Sequence, residues 1–206
     1  MIGASIIACP RRIRIGYRVV RALSFGMGER VVVRYTPVDT PIGELVAAGT
    51  DTHLVLLEYE RRRMYEEQLE RVRNALNCEF ERGESPVFDV LRAQLDEYFR
   101  GDRREFTVPL NVPGTPFQTK VWNELQRIPC GETTSYARLA ERIGQPSAVR
   151  AVARANGDNR IAIIIPCHRV IGSDGQLVGY GGGLWRKRKL LELEGRGQTL
   201  PLFTQD

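Results

Sequence analysis

The hydrophobic rhythm of the chain changes twice. From Val31 to Tyr59 the apolar residues fall in three short runs, Val31–Tyr35, Ile42–Ala48 and His53–Tyr59, divided by Thr36-Pro37-Val38-Asp39 and Gly49-Thr50-Asp51. Runs of this length, bounded by Pro, Gly and Asp, predict strands joined by turns and hence a small antiparallel sheet. The period then lengthens to that of a helix. Leu69, Val72 and Leu76 share one face; Phe88, Leu91, Leu95 and Tyr98 share another after Ser85-Pro86, an N-cap followed by proline at the first helical position. Gly101-Asp102 should end that second helix. The run Val108-Pro109-Leu110-Asn111-Val112-Pro113-Gly114 carries two prolines and cannot be helical. It sets residues 109–114 as a linker between an α/β domain over 30–108 and a second domain over 115–196.

Past the linker the pattern is helical. Thr115-Pro116 starts a helix with Phe117, Val121, Trp122, Leu125 and Ile128 on one side, and Pro129-Cys130-Gly131 stops it. Ser135 caps the next helix, whose apolar positions are Tyr136, Leu139, Ala140 and Ile143. Gly144-Gln145-Pro146 then turns the chain and Ser147 is placed to cap another. Two short helices joined in this way form a helix-turn-helix pattern. In the second, Ala148, Val149, Val152 and Ala153 make an apolar face, and Arg150 and Arg154 project from the opposite one. Such a cationic stripe fits a solvated surface or a nucleic-acid contact. Ile161-Ala162-Ile163-Ile164-Ile165 reads as a buried strand ended by Pro166. Residues 1–29 keep no clean period and are expected to form an irregular extension; 197–206 are expected to form a tail.

Composition excludes several classes. With 206 residues, 42% hydrophobic and 27% charged, the chain is an ordinary globular one with enough length to bury a core. The longest aliphatic run is too short to cross a bilayer. The apolar stretch Ile2 to Ala8 precedes Arg11, Arg12 and Arg14 instead of following a basic segment, so it is not laid out as a secretory signal. A cytoplasmic protein without a membrane partner is expected. Cys9, Cys78, Cys130 and Cys167 are too irregularly spaced for a disulfide framework, and His53 and His168 are too few for a dedicated zinc site, so no metal is expected. The net charge of +5 is uneven, at +6 over residues 1–34, −6 over 35–105 and +5 over 106–206. Only three of the thirty cations are lysine. Arginine is the better bidentate phosphate donor, which fits a polyanionic partner for the C-terminal part; a general arginine bias explains the count equally well.

The chemistry concentrates at Pro166-Cys167-His168-Arg169-Val170. A thiol reacts as its thiolate, and a neighbouring imidazole or cation is what makes the thiolate available near neutral pH. Cys167 has His168 beside it. Neighbours on a regular strand point to opposite faces, so the pair needs a turn after Pro166 or a bridging water to cooperate. An acid should orient the imidazole. In a last helix starting near Leu184, Glu194 falls on the side of Leu190 and Leu191, while Glu192 lies with Arg188 on the wet side. Lys187 shares the inward face, so Glu194 has two readings, orienter of His168 or structural ion pair with Lys187.

Ile-Pro-Cys-His-Arg-Val at 165–170 stands among further blocks: Ser-Tyr at 135–136, Ala-Val-Arg-Ala-Val at 148–152, Asn159, Gly182-Gly183-Leu184 and Leu-Glu-Gly at 193–195. From about Val31 to Gly195 the chain resembles the methylated-DNA–protein-cysteine methyltransferases, also called O6-alkylguanine-DNA alkyltransferases. The resemblance implies an α+β protein. Its N-terminal part would be a small sheet with helices, ribonuclease H-like, and its C-terminal part a helical winged-helix-type domain whose second helix enters the minor groove. It implies Cys167 as methyl acceptor, His168 as the base reaching it through water, and Glu194 as the carboxylate polarising His168. Asn159 would tie the recognition helix to the active-site turn, and Tyr136 would move the backbone phosphate and protonate the departing base. By spacing alone Tyr136, on an apolar stripe, reads first as a core residue. Arg150 would fill the gap left by the extruded guanine, with Ser135, Ala151, Arg154 and Arg169 along the DNA contact. Val170, Tyr180 and Gly181 would line the base pocket, in a wall formed by Gly179 to Gly183.

The implied partner is double-stranded DNA carrying O6-alkylguanine, met by a monomer that needs no cofactor and acts once. Gly181 stands where many relatives carry Ser, which removes a hydroxyl contact and makes room for bulkier adducts. Cys130, at a helix-stop turn, reads as structural. Two rival readings remain, a DNA-binding protein without enzymatic activity and a thiol hydrolase with a Cys/His/Glu triad. The first would be a helix-turn-helix regulator or an alkyltransferase-like lesion binder, and the retained Cys167 disfavours the latter, which replaces it, commonly by Trp. The second would not need Arg150 or a helix-turn-helix.

Overall fold

The computed structural model describes residues 30–60 and 65–195; the expectations for 1–29 and 197–206 fall outside them. β1 (Val31–Val38), β2 (Leu45–Gly49) and β3 (Leu54–Tyr59) form the expected antiparallel meander. Thr36-Pro37-Val38 continues β1 instead of turning, and the turn comes at Thr40–Ile42. Proline is tolerated there because β4, on that side of β1, pairs only as far as Tyr35. α1 (Tyr65–Leu76) then leads into β4 (Cys78–Arg82), which lies parallel to β1 and completes the order β3-β2-β1-β4. The sequence pattern does not reveal β4. Its residues Cys78-Glu79-Phe80-Glu81-Arg82 bury only Cys78 fully, and Asn77 makes the helix-to-strand reversal in one residue at φ 47°.

Every residue of β2 and β3 is buried, so the sheet is covered on both faces. On one face Val33, Ala48, Val55 and Leu56 pack with Val72 and Leu76 of α1. On the other, Ala47, Leu54 and Leu57 join a larger core with Phe88, Leu91 and Leu95 of α2 (Pro86–Arg100) and with Trp122 and Leu125 of α3 (Pro116–Leu125). α2 starts after Ser85 with proline at its first position and ends at Gly101, whose φ of 90° lets its N–H reach the Glu97 and Tyr98 carbonyls. Ser85 spends its hydroxyl on the Thr50 carbonyl and caps nothing. α3 begins with a full capping box between Thr115 and Gln118.

The run 109–114 is non-helical, as its prolines require, yet it is no loose tether. Leu54 N–H donates to Pro109 O at 2.8 Å and Asn111 N–H to Leu54 O at 2.9 Å. Further along β3, Leu57 N–H donates to Arg160 O at 2.8 Å and Ala162 N–H to Leu57 O at 2.7 Å. The outer edge of the sheet is thus closed by the linker and by the approach to the site.

α4 (Tyr136–Arg142) is capped by Ser135, whose side chain accepts from Arg138 N–H. A 3-10 turn, Pro146–Ala148, leads to α5 (Val149–Gly157). Ser147 is exposed inside that turn and does not cap α5, because proline at the start of the segment tightens it before the helix opens. α5 buries Val152, Ala155 and Asn156, with Ala148, Val149 and Ala153 half-buried, and leaves Arg150, Ala151 and Arg154 exposed. Two-residue strands β5 (Thr134–Ser135) and β6 (Val170–Ile171) pair in parallel, and α6 (Leu184–Glu194) closes the described chain. None of the described helices is long and apolar enough to cross a membrane.

Candidate alkyl-acceptor site

Residues 161–165 are all buried, as their apolarity demands, but they do not form a strand. The Asn159 side chain prevents it. Its Oδ1 accepts from Ile161 N–H at 3.0 Å, and its Nδ2 donates to Ile161 O at 3.2 Å and Ile165 O at 2.8 Å. The chain curls around this amide, with Ile163 forced to φ 68°. A β-branched residue there costs of order 1–3 kcal/mol, which the surrounding packing has to offset. The curl delivers Pro166 and then a 3-10 turn, Cys167–Arg169, so the turn needed after Pro166 exists.

Cys167 sits at the head of that turn. Asn159 Nδ2 donates to its Sγ at 3.1 Å, and an N–H aimed at sulfur favours the thiolate. The residue is 8% exposed and lines a cavity of about 770 Å³ together with Tyr136, Asn156, Asn159 and Gly179 to Gly182. Exposed Arg154, Gly179 and Gly181 also border the cavity, so it opens to the surface beside α5. Two glycines shape this wall. A Cβ on Gly182 would fall 2.5 Å from the Tyr59 ring, and Gly179, at φ +51°, leaves the Tyr136 hydroxyl 3.5 Å from where a side chain would start. Tyr136 is therefore half-buried at the cavity and not a plain core residue. Burial, and then the nearby thiol, push its pKa up, so the phenol keeps its proton.

Behind the sulfur lies a buried polar cluster centred on Glu194, itself 4% exposed. His168 Nε2 is 2.8 Å from its Oε1. Arg169 donates twice, from Nε to Oε2 and from Nη2 to Oε1, both at 2.8 Å. Tyr98 of α2 donates its hydroxyl to Oε1 at 2.8 Å, and Gly131 its N–H to Oε2 at 3.3 Å. Burial alone would raise the carboxyl, but His168 and Arg169 outweigh it and hold it well below the usual carboxylate range. An ionised carboxylate only accepts, so His168 Nε2 carries the proton. Nδ1 is left with its lone pair, and among the described residues it has no hydrogen-bond partner. Burial also lowers the His168 pKa below 6.5, against the opposing pull of Glu194, so the ring is neutral at pH 7.

Three expectations need correction. Arg169 is not on a DNA-facing surface: it is 6% exposed, clamped on Glu194 and donating Nη1 to Ile128 O at 2.6 Å. Val170 is fully buried in β6 and lies off the cavity lining, whereas Tyr180 and Gly181 are on it. Lys187 does not pair with Glu194. It is fully buried, and its Nζ donates to Val170 O and Val178 O, both at 2.6 Å, tying the active-site turn to the start of the glycine loop. Burial brings its pKa down to about 8. Glu192 is exposed as expected, paired with Lys189. Sequence reasoning missed Tyr98, because a tyrosine on a helix's apolar stripe gives no sign that its hydroxyl ends on a carboxylate. Ser135 is half-buried at the α4 cap; Arg150, Ala151 and Arg154 are exposed on α5, and of the three Arg154 lines the cavity. Among the described residues no group of three or more His, Cys, Asp or Glu side chains gathers to hold a metal ion.

Known proteins resemble this chain over both of its halves. Residues 33–112 match the ribonuclease-like domain of 6-O-methylguanine DNA methyltransferase, and residues 116–196 match the DNA binding domain of the same protein. The methylated-DNA–protein-cysteine methyltransferase of Mycolicibacterium paratuberculosis is 48% identical over 175 residues, covering 84% of this chain and 99% of that one. The constitutive one of Bacillus subtilis is 44% identical over 148 residues, 72% of this chain and 86% of the relative. The crystal structure of Mycobacterium tuberculosis OGT in complex with DNA superposes with a TM-score of 0.69 at 44% identity, covering 81% of this chain and 94% of that one. With both halves matched and the identity carried across most of its length, this α+β chain belongs to the O6-methylguanine DNA methyltransferase family.

Proposed function

We propose that this protein repairs double-stranded DNA by moving the alkyl group from O6 of guanine onto its own Cys167, once per molecule. The observation that carries the assignment is a thiol that lines an open cavity and takes an N–H from Asn159, followed directly in the chain by a histidine held on the Glu194 carboxylate. A methyl on O6 lies inside the duplex, so the nucleotide must rotate out, and a weakly paired lesion costs less to extrude. Arg150, exposed on α5 one turn before the cavity-lining Arg154, fills the space the base leaves. Arg154, Ala151 and Ser135 follow the backbone, and Tyr180 and Gly181 face the flipped base.

Cys167 gives its proton to the His168 Nδ1 lone pair through a bridging water, and Glu194 stabilises the imidazolium that results. Sγ attacks the methyl carbon in line. The S–C bond forms, the C–O6 bond breaks, and its electron pair leaves with guanine, which takes a proton from the Tyr136 phenol. Tyr136 recovers a proton from solvent. The product is a thioether with no good leaving group, so the protein is spent. The alkyl group comes from DNA and stays on the chain, which leaves no task for a cofactor. A free thiol with this duty fits the reducing cytoplasm, and a monomer suffices because every named residue is on one chain.

The test is Cys167→Ser against wild type on a duplex containing O6-methylguanine. The serine variant should bind the duplex with unchanged affinity and remove no methyl. Methyl removal by Cys167→Ser would refute the assignment, and repeated turnover by wild type would favour a hydrolase.

A further inference from the structure

Arg160 directly follows Asn159 and is a cation with 4% exposure. Neutral groups hold its guanidinium. Nε donates to Gln68 Oε1 at 2.7 Å, Nη1 to the Pro113 carbonyl, and the guanidinium carbon lies 5.6 Å from the centre of the Trp122 ring. Desolvating a cation on such terms is unfavourable unless its geometry is fully used. The holders come from three places: α1, the segment closing the sheet edge, and α3.

Gln68 is fully buried and spends both ends of its amide here. Oε1 accepts from Arg160, and Nε2 donates to Asp158 O at 3.3 Å. The Asp158 carboxylate takes Arg71 Nη1 of α1 at 3.3 Å and Gln118 Nε2 of α3 at 3.0 Å. Arg160 O accepts from Leu57 N–H of β3. Asn159 is therefore clamped before and behind by β3 and α1 of the N-terminal half together with the linker and α3. Its own side chain shapes the 161–165 curl and donates to Cys167 Sγ.

We infer that the Gln68–Arg160 contact is a positioning device through which the N-terminal half sets the nucleophile: it fixes the backbone from which the Asn159 amide reaches Sγ. The inference rests on Cys167 being the alkyl acceptor. Neither Gln68 nor Arg160 touches the reacting atoms, so their effect passes through Asn159. Tyr59 of β3, Tyr136 of α4, Tyr180 of the glycine loop and Lys187 of α6 interact electrostatically with the thiol, His168 follows it in the chain with Glu194 behind, and Glu58, Glu67, Arg71, Arg154 and Asp158 line the same cavity. Gln68→Ala removes none of these groups and keeps the Arg160 charge. A shift in the thiol's titration would then report a displaced Asn159.

Wild type, Gln68→Ala and Gln68→Glu are to be reacted in single turnover with saturating duplex carrying O6-methylguanine, across pH, with the modified peptide located by mass. A misplacement of this kind is expected to slow Gln68→Ala by about 10-fold to 100-fold at pH 7. The alkaline limb of its rate profile should move to higher pH, because a thiolate without its N–H donor is less stable. DNA affinity should stay at the wild-type value. Gln68→Glu keeps the acceptor for Arg160 and should recover most of the rate. A wild-type rate and limb in Gln68→Ala would overturn the inference, as would a slower rate with the limb unmoved, which marks a contact serving stability alone. If Gln68→Ala does not fold, Arg160→Lys, which keeps the charge and loses the paired bonds, is read by the same criteria. Methyl found on wild type away from Cys167 would refute the acceptor assignment itself, a result distinct from either failure above.

Discussion

Two sets of cations in the C-terminal half are handled in opposite ways. On α5, Arg150 and Arg154 stand exposed one turn apart, and neither forms an ion pair among the described residues. Around the nucleophile turn, Arg160, Arg169 and Lys187 are buried, each with its N–H groups on fixed acceptors. The exposed pair is available to a phosphate because nothing in the fold claims it. The buried set is unavailable to DNA and instead holds the Glu194 carboxylate, the glycine loop and the Asn159 backbone in place. Binding and chemistry therefore draw on the same residue types separated by burial, which predicts that substitutions in the two sets fail differently.

The largest effect should come from Glu194→Gln. It leaves the Arg169 guanidinium buried against a neutral amide, so unfolding in urea should show a loss of about 3–5 kcal/mol. His168 loses its orienting carboxylate, and single-turnover transfer should fall by roughly 10²–10⁴-fold. A variant with wild-type stability would mean that the buried cluster does not hold the fold together as described. The next effect is one of pH. Burial lowers the His168 pKa from its ordinary 6.5, so the neutral base predominates at pH 7 and is lost as pH falls through its folded value. The transfer rate should be flat near neutrality and drop only below pH 6.5. Stability should fall over the same acid range, because the unfolded chain takes up that proton first. An acid-side loss of rate that sets in above pH 6.5 would place a differently titrating group at the base position, whereas the limb on the alkaline side belongs to the thiol. Arg150→Ala should be the mildest for the fold, with an unchanged thermal midpoint. It should reduce the salt dependence of DNA binding by about one unit of slope and slow repair of duplex more than of single-stranded substrate. Equal rates on the two would remove Arg150 from base extrusion.

Periodicity located the helix-turn-helix, the exposed side of α5 and the inward face of Glu194, because a regular helix fixes direction three and four residues on. It could not place Arg169 or Val170. Arg169 ends, and Val170 directly follows, a 3-10 turn whose geometry depends on Asn159, eight residues before the thiol, and no local pattern encodes that curl. The misread strand at 161–165 has the same origin: five apolar residues specify burial, but a side-chain amide takes the backbone bonds that a strand would need. β4 escaped because its alternation is carried by a single buried cysteine and a half-buried phenylalanine. Tyr98 and Gln68 contribute through polar tips on otherwise ordinary helix faces, and their partners lie 96 and 92 residues away in the sequence.

The most direct measurement of the central claim is the mass of the intact protein, followed by peptide mapping, after incubation with excess duplex bearing O6-methylguanine. The account predicts a gain of one methyl group per chain, all of it on the peptide containing Cys167, and no further gain with time. An unchanged mass, a second methyl, or a label on Cys78 or Cys130 would contradict it.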